Sequence, residues 1–284
     1  MKMGKGKKKK QNKLLYIVVI FMVACGGALA YFAYDYYLYL QDGLAAQENT
    51  DVVRHIFRDQ MEDINQLIAI VPRVDNAEDA PDDVTQLLGI SFETSPLDAA
   101  RELTDNPDIV GYLFIEGTNV SNVIVQGPDN AYYLHRDMFG NRNVNGSIFM
   151  DYRNTPDFTD PNTILYGHNM NNGTMFHNIR YYLQQEFFEA HPHIKVITDD
   201  TIFVYEIFSA FTTHIEFNYI QVLFDYDDEF EELVAEISRR SVYNTGVTAS
   251  GDDRILALST CTNVNRNTRI VVVGRLAMEV AIND

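Results

Sequence analysis

From Asp108 to Leu276 the chain breaks into eight short runs of β-type sequence: IVGYLFI, NVIVQ, SIFMD, TILYGH, HIKVITD, TIFVYEIFSAFTT, RILALST and RIVVVGRL. Gly, Asn and Asp separate them. With no helical pattern between most of these runs, their apolar faces are most simply buried by a closed antiparallel or mixed barrel. The expected class is therefore mainly β with flanking helices. Two helices interrupt the strands. Thr174 is placed to cap one that buries Phe176, Ile179 and Leu183. Asp227 is placed to cap a second, just before the cysteine strand, with Phe230, Leu233, Val234 and Ile237 inward and Arg239 and Arg240 in its last turn.

Upstream, Val53, Ile56, Phe57, Met61, Ile64, Leu67, Ile68 and Val71 recur at spacings of three and four, the pattern of an amphipathic helix over residues 50–71. Residues 72–93 are rich in Asp and Pro at first and read as a loop or insertion. Ser95-Pro96 then supplies an N-cap and a first-turn proline for a short helix, Leu97 to Leu103. Nearer the N-terminus, residues 14–34 (LLYIVVIFMVACGGALAYFAY) form an uncharged apolar stretch of about 21 residues, roughly 30 Å as a helix and so one bilayer core. All seven lysines of residues 2–13 precede it. That flank is expected to hold the N-terminus in the cytoplasm and place the rest outside the cell. The expected organisation is a basic cytoplasmic segment 1–13, a transmembrane signal-anchor 14–34, an extracellular linker with N-terminal helices 35–105, and a β-domain 106–284. Two alternatives share the export but not the anchor: a cleavage site at Ala28-Leu29-Ala30, or a lipoprotein-like box at residues 22–26.

Beyond the lysines the chain carries 15 basic and 40 acidic residues, a net of −25. So acidic a surface argues against nucleic acid or anionic headgroups as partners. Cys25 lies within the apolar stretch, where an inert thiol is expected, and Cys261 is the one cysteine after it. An exported domain with one cysteine has no internal disulfide, and no Cys or His spacing makes a zinc site, so neither metal nor cofactor is expected.

Alternation over residues 254–261 puts Ile255, Ala257, Ser259 and Cys261 on one face, with Cys261 at the strand's end. The next strand begins at Arg269 and is expected to return antiparallel across a loop of residues 262–268, making Cys261 and Arg269 neighbours on one rim. His168 ends TILYGH on the face of Ile164 and Tyr166. Whether it shares that rim does not follow from the residues, and a strand-end cysteine is by itself more often structural than reactive.

LSTC followed by RIVVV, with YGHNM some ninety residues upstream, resembles the signature of sortases, the membrane-anchored cysteine transpeptidases of Gram-positive bacteria. NPDIVGYLFIEGTNV, QGPDNAYYL, GSIFMDYRN, ILYGHNMNNGTMFHNIRYY and YEIFSAF extend the likeness to class B sortases over most of residues 106–276. The resemblance implies a closed eight-stranded sortase barrel with N-terminal helices. It carries the catalytic roles to His168, Cys261 and Arg269. Asn130 and Tyr166 resemble groove-lining positions, and Ser259 and Thr260 are further candidates for substrate contact. The chain departs from the pattern at Ala257, where Thr is common, at Ser121-Asn122-Val123 in place of Tyr-Pro-Val, and in the length of residues 72–93. The second and third departures are expected at the substrate groove or its flank.

The implied activity is cleavage of a C-terminal sorting motif, NPxTN-like or SPKTG-like, on secreted surface proteins. A Cys261 thioacyl intermediate would pass the acyl group to a peptidoglycan precursor or stem-peptide amine. Pilin polymerisation and simple hydrolysis are the alternatives. A papain-like peptidase is disfavoured because His168 precedes Cys261 in the chain, and the Ser-His-Gly-Cys cluster of L,D-transpeptidases is absent.

Overall fold

A computed structural model describes residues 5–58, 95–225, 227–262, 265 and 267–282. The chain divides into two compact units, Met1–Leu44 and Ala45–Asp284. The first is helical. Helix α1 (Lys5–Ile56) begins there and carries a window of mean hydropathy 2.2 with none of its residues buried, long and apolar enough to cross a membrane.

The second unit holds the strands, and each of the eight predicted runs forms one: β1 (Ile109–Phe114), β2 (Ser121–Val125), β3 (Ile148–Met150), β4 (Asn162–Tyr166), β5 (His193–Ile197), β6 (Thr201–His214), β7 (Ile255–Cys261) and β8 (Thr268–Ala281). They close in the order β1-β2-β3-β4-β7-β8-β6-β5, with β5 back against β1. The barrel is mixed, because β2–β3 and β4–β7 are parallel pairs and the others antiparallel.

Both faces of the central strands are buried, which explains their near-continuous apolar runs. On one face Ile164, Ala257, Val271 and Val273 meet helix α4 (Asp227–Arg240), which inserts Phe230, Leu233, Val234 and Ile237 as its spacing predicts. Each such side chain stabilises by about 1.5–3 kcal/mol relative to exposure. One residue out of phase, Leu165, Leu256, Leu258 and Val272 are fully buried on the other face. The Asp227 side chain, and with it the predicted cap, lies outside the described residues.

Around β1 and β2 the cover comes from α1 and from α2 (Pro96–Thr104). Val53 and Phe57 are fully buried, and the Phe57 ring stacks on Tyr112 at 3.9 Å and 5°. Tyr112 bonds the Ser121 hydroxyl, and Asn122 Nδ2 donates to Thr50 Oγ1 at 2.9 Å. The departure at Ser121-Asn122 therefore serves helix docking. The remainder of the predicted helix over 50–71, from residue 59, and the loop 72–93 lie outside the described residues.

Two predicted caps are corrected. Ser95 occupies the N-cap position of α2, but its hydroxyl donates to Asp199 Oδ1 at 2.9 Å instead of bonding the helix. Thr174 caps nothing. Its hydroxyl bonds Asn172 and Asn145, and the segment that follows, Phe176–Leu183, is a 3₁₀-helix. A three-residue turn aligns positions 176, 179 and 182, so Tyr182 is buried where an α-helical period selects Leu183. A six-residue helix, α3 (Gln185–Ala190), follows.

Candidate active site

The barrel's pairing brings the three candidate residues of the chemistry to one rim. β4 and β7 are parallel with Tyr166 opposite Ser259, and His168 and Cys261 each follow two residues later at the same end of the pair. Three hydrogen bonds extend the pair past the end of β4. Gly167 N donates to Ser259 O at 3.3 Å, Thr260 Oγ1 to Gly167 O at 2.6 Å, and Asn169 Nδ2 to Cys261 O at 3.1 Å. Gly167 is required here, because a β-carbon would lie 2.8 Å from the ring of Phe176.

On its other side β7 pairs with β8, Cys261 opposite Arg269. Thr262 N donates to Thr268 O at 3.1 Å and Leu276 N to Arg254 O at 2.8 Å. Antiparallel pairs alternate, so Cys261–Arg269 is a non-hydrogen-bonded pair, the kind whose Cα atoms approach to about 4.5 Å with side chains on the same face. Arg269 Nη1 also donates to the carbonyl of Thr268 at 3.1 Å.

His168 is oriented from across the barrel mouth. Its Nε2 lies 2.8 Å from the carbonyl of Leu134. A carbonyl can only accept, so Nε2 carries the hydrogen and Nδ1 is the nitrogen left to exchange a proton. Burial pushes the His168 pKa down; the Leu134 bond opposes this, and the nearby His135 lowers it further. The His135 ring stacks on that of His168 at 5.8 Å between centroids. Nothing in the sequence distinguished His135 from the other histidines, because the contact spans 33 residues of chain.

The four candidate substrate contacts are all engaged within the protein. Ser259 is buried and its hydroxyl shares a 2.7 Å bond with Tyr219. Thr260 is buried and its hydroxyl is the one bonded to Gly167. Each hydroxyl holds a neighbouring segment. Tyr166 and Asn130 are half-buried, and both donate to the carboxylate of Asp151, at 2.9 and 3.0 Å. Tyr219 reaches the site from the β6–α4 connection. Burial raises its pKa, opposed by the Ser259 bond and the Arg269 charge.

A sortase-domain family model matches residues 113–277, more than half of the chain. Sortase B of Listeria monocytogenes is 41% identical over 182 residues, covering 63% of this chain and 74% of that protein. The chain belongs to the sortase family, in its class B. As a sortase it is a cysteine transpeptidase, and the closed mixed barrel is the sortase fold. A solved Staphylococcus aureus sortase B–substrate complex is 33% identical, with a TM-score of 0.62 over 70% of this sortase and 92% of that chain. A sortase B complexed with triglycine aligns with the same TM-score and coverage at 32% identity.

Proposed function

We propose that this sortase cleaves an NPxTN-like or SPKTG-like sorting motif through Cys261 and transfers the acyl group to a peptidoglycan amine. The observation that carries this reading is the shared rim of Cys261, Arg269 and His168. The thiolate of Cys261 attacks the carbonyl carbon of the motif's Thr. Arg269, next to it across the β7–β8 pair, donates to the oxyanion that develops. Nδ1 of His168, as imidazolium, gives its proton to the leaving amine as the C–N bond breaks, leaving a thioester. In the second half an acceptor amine loses its proton to Nδ1 and attacks, and the thiolate departs. Burial disfavours the imidazolium form of His168, so its protonation there is harder than in water.

The donor and acceptor chemistry is supported by the relatives, one of which is solved with a substrate and another with triglycine. The apolar window of α1, preceded by lysines, suits a signal-anchor that leaves the catalytic unit on the cell-wall side. The test is intact mass of the full chain in detergent, incubated with a sorting-motif peptide. A thioester adduct is expected, and it disappears in Cys261→Ala. An adduct that survives that substitution removes Cys261 as nucleophile. Product measured with and without triglycine separates transfer from hydrolysis.

A further inference from the structure

The motif GSIFMDYRN contributes no group to the chemistry above, yet it builds the densest polar cluster beside the rim. Asp151 follows β3 directly and its side chain is fully buried. Its two carboxylate oxygens receive five donors. Arg153 N and Nε reach Oδ1 at 3.0 and 2.8 Å, and Arg153 Nη2, Asn130 Nδ2 and Tyr166 Oη reach Oδ2 at 2.7, 3.0 and 2.9 Å. Arg153 Nη2 also donates to Ile220 O at 3.0 Å. One carboxylate thus ties together the β2–β3 connection, the end of β4 and, through Arg153, the β6–α4 connection.

Those are the segments that flank the nucleophile. Tyr166 is the last residue of β4, two residues before His168. Ile220 follows Tyr219, whose hydroxyl rests on Ser259, two residues before Cys261. A buried carboxylate is costly unless paired and fully hydrogen-bonded. This one is, and although burial alone would raise its pKa, the Arg153, Asn130 and Tyr166 bonds together hold it below the usual carboxylate range. Its bonds run to two connections and to the last residue of β4.

We propose that Asp151 is a positioning residue for the acyl donor: with Arg153 it locks Asn130, Tyr166 and the Ile220 segment into the wall along which the sorting peptide lies beside Cys261. The inference rests on the sortase reading of Cys261 above. Asp151 itself touches no reacting atom. It acts by removing conformational freedom from side chains that binding would otherwise have to immobilise, each worth a factor of several in affinity.

The experiment uses the full chain in detergent with an Asn-Pro-x-Thr-Asn peptide, and a small alkylating agent, iodoacetamide, as a separate probe of Cys261. In Asp151→Asn the peptide KM should rise roughly tenfold while kcat changes by less than about threefold and the alkylation rate stays at the level of the unsubstituted chain. Tyr166→Phe removes one bond and leaves the carboxylate in place, so it keeps the test alive should Asp151→Asn fail to fold. It should raise KM less, and the double variant should be no worse than Asp151→Asn alone, because the Tyr166 bond is one of the five that the carboxylate makes. An unchanged KM with only a lowered melting temperature overturns the proposal, as does an alkylation rate that falls while KM does not. Additive effects in the double variant also overturn it. If the unsubstituted chain forms no thioester although iodoacetamide modifies Cys261, the acyl-donor reading itself fails and the wall with it.

Discussion

Asn169→Leu should separate the stability of this enzyme from its activity. Asn169 Nδ2 donates to the carbonyl of Cys261 at 3.1 Å, while its Oδ1 is buried among the described residues with no partner. Leucine has the same number and branching of side-chain heavy atoms and neither polar atom. Losing the bond costs about 0.5–1.5 kcal/mol, and losing an unpaired buried acceptor recovers about 1–3 kcal/mol. The two terms oppose each other, so the net change in stability should stay within about 1 kcal/mol, a few degrees in Tm at most for a unit of this size. Catalysis has no such compensation. The bond holds the last residue of β7, and a nucleophile displaced by about 1 Å loses up to roughly 10²-fold in rate. Pre-steady-state thioester formation at saturating peptide, read by intact mass, should fall ten- to a hundredfold with KM within about twofold. A rate within twofold of the unsubstituted chain refutes the reasoning. So does a rate that falls only in step with Tm, since the side chain would then be acting on the fold.

Arg269→Lys should lose most activity, at least tenfold in kcat, because an ammonium cannot reproduce the directed donors of the guanidinium; near-normal turnover would reduce Arg269 to a structural role. His135→Gln should move the acid limb of the pH–kcat/KM profile to higher pH and raise its plateau. The sign follows from the His135 charge, which lowers the His168 pKa: removing it raises that pKa, so imidazolium persists to higher pH alongside the thiolate. An acid limb that moves to lower pH contradicts the stacked geometry. Phe57→Ala removes a fully buried ring stacked on Tyr112 and should destabilise the second unit by about 3–5 kcal/mol in thermal or denaturant unfolding, with Cys261 alkylation in the surviving native fraction unchanged.

The strands were legible because each is a local signal: alternating or continuous apolar residues bounded by Gly, Asn and Asp. The Cys261–Arg269 contact was legible for the same reason, since a hairpin joins residues eight apart. Elements that depended on the surroundings were not. The 3₁₀ segment after Met175 has an α-helical apolar spacing that its three-residue turn overrides, and Ser95 has a cap residue's identity but a distant aspartate as its partner. Asp151 ended the run SIFMD with nothing to set it apart, and its buried carboxylate is satisfied by donors from three separate stretches of chain.

The placement of His168 is the instructive case, because it depends on register in a parallel pair whose strands lie some ninety residues apart. A slip of one residue between β4 and β7 would set Gly167 beside Cys261 and turn the His168 ring to the opposite face. Backbone pairing alone discriminates weakly against that slip, as both faces of the pair are apolar: Ile164 and Ala257 on one, Leu165 and Leu258 on the other. The side chains at the strand ends discriminate strongly. Thr260 reaches the carbonyl of Gly167 and Asn169 the carbonyl of Cys261 only in the observed register, and only a glycine at 167 leaves room for Phe176. A hydroxyl, an amide and a missing β-carbon thus select the observed alignment at this end of the pair. In the sequence these residues look like an ordinary strand threonine and the Gly-His-Asn at the end of the run TILYGH. Their contribution is to fix the alignment on which the proposed pairing of His168 with Cys261 depends.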